Sequence, residues 1–252
     1  MCLVNLQFRQ HPTYKMVIAA NRDEFYSRPA AAAEFWKDEP TVLAGRDLTQ
    51  MGTWLGVTKK GRIAALTNFR DATNLETAQL SRGAVVKNFL TSTKSPEEYI
   101  KSIDPDLYAG FNLIIGDSTK LIYYNNIQNE SYEIPPGIHG LSNHFLNTPW
   151  PKVIKGKEKL ALYMAQTEKV DVEEIFSILS NTDYAPDSHL PDTGVGLDLE
   201  RMLSPMFIKT PDYGTRSATV VLISHDNTLT FAERNFENGL FKEDKVFTFK
   251  ID

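Results

Sequence analysis

The sequence predicts an α+β fold, and three observations carry that expectation. Apolar runs of strand character occupy both ends of the 252-residue chain. Amphipathic runs of helical spacing are grouped between them, and the last three apolar runs follow one another through short turns as an antiparallel meander does. A doubly wound parallel sheet would alternate strand and helix throughout. No internal repeat, low-complexity tract or clear boundary divides the chain, so residues 1–252 read as one domain.

The elements follow in order. Residues 2–8 and 16–20 read as two strands joined by a polar turn containing His11, Pro12 and Lys15. Pro29 and the alanines after it leave helix and loop equally open. Residues 54–58 and 62–68 form a second strand pair around Lys59, Lys60 and Gly61. Ser81 precedes a run with Val85, Val86, Phe89 and Leu90 at helical spacing, and Ser95 with Pro96 opens a second helix. Residues 111–117 and 121–126 make another hairpin, 137–143 a further strand, and 152–166 and 171–180 two more helices. The charges at Lys152, Lys155, Lys157, Glu158 and Lys159 read as the wet face of the first of these. Residues 181–205, rich in Pro, Gly and Asp, read as a long surface loop. Strands at 217–224, 228–236 and 245–251 close the chain.

A net charge of −5, with 27 basic residues scattered among 32 acidic ones, argues against a nucleic-acid or anionic-membrane surface. With 42% hydrophobic residues the chain can bury a sizeable core, yet no apolar run approaches the roughly 20 residues that span a bilayer. One cysteine permits no internal disulfide, and MCLVNLQFRQ lacks the basic and apolar regions of a secretion signal, so the expected compartment is the reducing cytosol. Small molecules or other proteins are the expected partners; the oligomeric state is not legible.

That cysteine, Cys2, stands directly behind the initiator methionine. Removal of Met1 would put a free α-amine, with a pKa of about 7.7–8.0, on the residue that carries a thiol of pKa roughly 8.5, so base and nucleophile would coincide. A small soft side chain opening a strand is the ordinary alternative. Asn21-Arg22-Asp23-Glu24 ends the hairpin partner of the Cys2 strand. There a carboxylate can hold an amine, and a guanidinium can lower a thiol pKa or grip an oxyanion. Asn68, in Thr67-Asn68-Phe69-Arg70, and Asn143, after Ser142, end strands and could donate amides to a developing oxyanion. Arg216 lies at the mouth of a long apolar strand, in Tyr213-Gly214-Thr215-Arg216-Ser217. The histidines His11, His139, His144, His189 and His225 show no paired metal-ligand spacing.

Met1-Cys2, Asn21-Arg22-Asp23-Glu24, Gly52-Thr53-Trp54-Leu55-Gly56, Thr67-Asn68-Phe69-Arg70, Ser81-Arg82-Gly83 and Tyr213-Gly214-Thr215-Arg216-Ser217 together resemble the NRDE family, also called the transport and Golgi organisation 2 family. The resemblance spans nearly the whole chain. It implies a four-layer αββα sandwich of antiparallel sheets similar to N-terminal nucleophile hydrolases, whose most similar lineage holds the cysteine amidases of conjugated bile salts and penicillin V. On that resemblance Cys2 matches the nucleophile, Asp23 the carboxylate that positions the terminal amine, Asn68 and Asn143 the oxyanion donors, and Arg216 the late arginine against the nucleophile. Those amidases place their other arginine a few residues before the aspartate, whereas Arg22 adjoins Asp23. Two functions follow: hydrolysis of a small amide through Cys2, which requires no cofactor, or binding and trafficking of haem or an acyl lipid in the same pocket, since the family has been linked to both. A structural protein carrying the site as a relic is the third reading.

Overall fold

The computed structural model describes residues 2–70 and 79–252. The fate of Met1 lies outside the described residues. Strand β1 (Cys2–Phe8) pairs antiparallel with β2 (Tyr14–Phe25). The expected limit of β2 at residue 20 is too short. Its ladder with β11 (Tyr213–Ser224) runs on to Phe25↔Tyr213, so the polar Asn21–Glu24 segment is strand and not strand end.

Among the described residues, six strands make one sheet in the order β10 (Gly137–Leu141), β1, β2, β11, β12 (Thr228–Glu237), β13 (Leu240–Lys250). Seven make a second: β3 (Ala30–Phe35), β4 (Val42–Asp47), β5 (Leu55–Thr58), β6 (Ile63–Asn68), β7 (Phe111–Gly116), β8 (Leu121–Asn125) and β9 (Glu130–Glu133). Helices α1 (Arg82–Thr91) and α2 (Pro96–Lys101) cover the outside of the second sheet, and α3 (Pro151–Gln166) and α4 (Val172–Leu179) that of the first. The result is the αββα sandwich.

Alternation explains the layers. In β1 and β2, Val4, Leu6, Phe8, Met16, Ile18 and Ala20 enter the core between the sheets, with Val57, Ile63 and Ile114 from the other side. The intervening Val17 and Ala19 pack against Leu160, Ile175 and Leu179 of the helices. The same count puts Cys2 and Arg22, opposite each other in the ladder, on the inter-sheet face, and Leu3 and Asp23 on the helix face. Leu3 indeed packs with Trp150, Val153 and Met206. A β-bulge in β11 changes the count there: Thr215 opposes Asp23, Ser217 opposes Arg22, and Arg216 is the extra residue.

Three expectations are corrected. The alanine-rich segment is β3, held in a ladder with β4, so tertiary pairing overrides the helix propensity of its alanines. Residues 181–205 are not plain loop: they carry α5 (Leu197–Met202), whose Glu200 is buried and ion-paired with Arg70 at 2.6 Å. Lys152, assigned to a wet helix face with Glu158 and Lys159, is buried while those two are exposed.

Candidate active site

Cys2 begins a strand paired on one side with β2, and across the seam between the sheets lies the end of β6. Hydrogen bonds stitch this seam. Thr67 Oγ1 donates to the Ser142 carbonyl, Asn143 Nδ2 to the Asn68 carbonyl at 2.9 Å, and the Arg70 amide to the Asn143 carbonyl at 2.7 Å. The Ser142 hydroxyl lies 3.0 Å from the Cys2 carbonyl and 3.1 Å from Asn143 Oδ1. The sheets therefore meet at the backbone of Cys2.

A cleft of about 420 Å³ opens between the sheets, and Cys2, Arg22, Asp23, Asn68 and Arg216 all line it. Asn143 does not. It is fully buried behind the seam and its amide donates to the Asn68 carbonyl, so it fixes the end of β6. Arg216 Nη1 donates to the carbonyls of Phe25, at 2.8 Å, Tyr26 and Arg28, which shapes the cleft wall after β2.

Burial raises the Cys2 thiol above its ordinary pKa, and the Asp23 carboxylate adds to the rise. Arg22 and a hydrogen bond from the Asp23 backbone oppose it. Burial thus favours the thiol over the thiolate. Asp23 is 2% exposed; burial raises its carboxyl, opposed by the charge of Lys152 and the Thr215 hydroxyl.

Sequence reasoning overlooked Arg82 and Glu233. Arg82 opens α1, where the helix dipole disfavours a cation, and donates to the Gly110 carbonyl at 3.1 Å. It lines the cleft, where burial lowers its pKa and negative charge on Cys2 opposes that. Its signal in the sequence was the motif Ser81-Arg82-Gly83. Gly52 and Gly83 bring this helix start close: a Cβ on Gly52 would lie 2.5 Å from the Gly83 carbonyl carbon. Glu233, from β12, crosses the cleft floor to accept the Ala33 amide at 2.7 Å, and burial raises its pKa. No sequence pattern marked it.

Ring nitrogens of His11, His139, His144 and His225 lie within hydrogen-bond distance of protein oxygens, and His189 is exposed. Among the described residues no group of three or more His, Cys, Asp or Glu side chains could hold a metal ion, and no helix is long and apolar enough to cross a membrane.

The family described as Transport and Golgi organisation 2 matches residues 1–238. The Transport and Golgi organization protein 2 homologs of Bos taurus and Homo sapiens are each 36% identical, over 93% of this chain and 93% of their own. The Drosophila melanogaster protein of that name is 25% identical over 92% of this chain and 91% of its own. Among solved structures, a C2A mutant of conjugated bile acid hydrolase from Clostridium perfringens superposes with TM-score 0.55 at 10% identity, covering 100% of this chain and 97% of that one. The Caenorhabditis elegans ortholog of N-acylethanolamine-hydrolyzing acid amidase gives 0.53 at 9%, covering 88% and 92%. Both are N-terminal nucleophile hydrolase folds, and at these identities they speak for the fold.

Proposed function

The chain belongs to the Transport and Golgi organisation 2 family, and we propose that it hydrolyses the C–N bond of a small amide through Cys2. The observation that carries this reading is the placement of the chain's one cysteine, buried at the wall of a cleft that it lines with Arg22, Asn68, Arg82 and Arg216. The structural neighbours named for amide and bile-acid hydrolysis add support through the fold they share.

In this mechanism Met1 is removed and the neutral α-amine of Cys2 takes the thiol proton. The thiolate adds to the substrate carbonyl carbon, whose oxygen becomes an oxyanion facing the Asn68 amide and the arginine side chains. The C–N bond breaks, and the leaving amine carries off the proton held by the Cys2 α-amine. Water then adds to the thioester, giving its proton back to the sulfur side and releasing the acid with Cys2 restored. Burial disfavours the thiolate, which is why a base on the same residue serves the reaction. Asn143 acts by fixing the Asn68 backbone.

Intact mass of protein purified from cells, before and after p-nitrophenyl acetate, with Cys2→Ala as control, tests the proposal. Loss of Met1 and Cys2-dependent acetylation followed by deacetylation are expected. A retained Met1 or an inert Cys2 would overturn it and leave the cleft to the second reading, a carrier of haem or of an acyl lipid.

A further inference from the structure

Lys152 is the second residue of α3, a position where the helix dipole disfavours a cation, and it is 3% exposed. A buried lysine needs compensation. Its Nζ donates to the Leu203 carbonyl at 3.2 Å, just beyond α5. On the same helix face of the sheet stand Asp23 and, from the neighbouring strand, Leu3, whose side chain packs with the residues flanking Lys152, Trp150 and Val153. The charged groups around Lys152 come from four elements: Asp23 of β2, Cys2 of β1, Arg70 after β6 and Glu200 of α5, with Tyr213 of β11 donating its hydroxyl to the Asp23 carbonyl at 3.0 Å. Burial lowers Lys152 to about 8, against the upward pull of Asp23.

The geometry points to Lys152 as a positioning residue that shares the Asp23 carboxylate with the Cys2 α-amine and so holds that amine in its neutral, proton-accepting form. The role deepens the proposed hydrolysis and rests on it for its purpose, but its electrostatics act whether or not an amide is cleaved. Without Lys152, Asp23 would face the terminal ammonium with one cation fewer beside it. Every nearby group would then bind its proton more tightly, amine and thiol alike. The chemistry that needs a neutral amine would retreat to higher pH. An arginine would restore the charge, and a methionine would keep the volume without it.

The test is the pH dependence of Cys2 alkylation by iodoacetamide, read by intact mass in the wild type, Lys152→Met and Lys152→Arg, with thermal unfolding of each as a check on folding. Iodoacetamide reports the thiolate without calling on an oxyanion site. The expected result is a midpoint about one pH unit higher in Lys152→Met, roughly tenfold slower alkylation at fixed pH below it, and a midpoint restored toward wild type in Lys152→Arg. A folded Lys152→Met protein with an unchanged midpoint would overturn the role. If it fails to fold, a shift of one unit or more in folded Lys152→Arg does the same, because charge there would not be what matters. Failed acetylation with a shifted alkylation midpoint would sink the hydrolase reading and leave this one standing.

Discussion

Thr215 Oγ1 donates to Asp23 Oδ1 at 2.7 Å and itself accepts from the Ile208 amide at 2.9 Å. One buried side chain thus ties the carboxylate beside Cys2 to the segment leading into β11. Thr215→Val keeps the shape and removes both bonds. Its expected cost is about 1–3 kcal/mol, measured by urea unfolding. Asp23 would also lose a group that favours its ionised form, so its carboxyl should titrate higher still.

The Arg70–Glu200 pair, with side chains 9% and 3% exposed, anchors α5 to the end of β6. Glu200→Leu alone leaves the guanidinium buried without this partner and should cost about 3–5 kcal/mol. The double variant Arg70→Met with Glu200→Leu should recover most of that loss. A double variant as unstable as the sum of the singles would show that the pair does not act as a unit.

Glu233 carries a pH signature. Burial raises its folded pKa above the unfolded value, so the carboxyl favours the folded state most at low pH, and this contribution is lost as pH rises through the folded pKa. Glu233→Gln cannot ionise. Relative to the wild type the variant should therefore gain stability between pH 5 and pH 8, read from urea midpoints at both values. An equal difference at the two would show that Glu233 does not titrate in that window.

Gly52→Ala probes how closely α1 approaches the strand side of the cleft. The added methyl meets Gly83 backbone at 2.5 Å, which no side-chain rotation relieves. A loss of about 1–3 kcal/mol is expected, with slower Cys2 labelling as Arg82 moves away. Unaltered labelling in a destabilised protein would separate the helix start from the site.

What could be read in advance follows physical lines. β1, β6 and β7 were legible because both their faces are buried and their sequences are nearly all apolar. β9 was not, because every residue of Glu130–Glu133 is exposed and only its ladder with β8 makes it a strand. β4 was hidden by Gly45-Arg46-Asp47, a turn-like polar end. In the site, Cys2 and Asp23 could be found from their places on a hairpin, and Asn68 from a strand end. Lys152 and Glu200 could not: local sequence gives each the look of a solvated helix residue, and only packing from distant strands encloses them. Asn143 was found as a residue, but its bond across the seam to the Asn68 carbonyl was not, because only the meeting of the two sheets creates it.

The bulge at Arg216 gives β11 one residue more than its ladder with β2 uses. Removing that residue would leave Thr215 opposite Asp23 and Ser217 opposite Arg22 as neighbours in an unbroken ladder, with Val221 and Ile223 still facing the other sheet and Val220 and Leu222 still facing the helices. What would go is the protruding arginine and its bonds to the turn after β2. Relatives of this chain that lack the extra residue should accordingly keep the core and the Thr215–Asp23 bond while losing that hold on the cleft wall, whereas an insertion or deletion between Ser217 and Ile223 would turn the faces over.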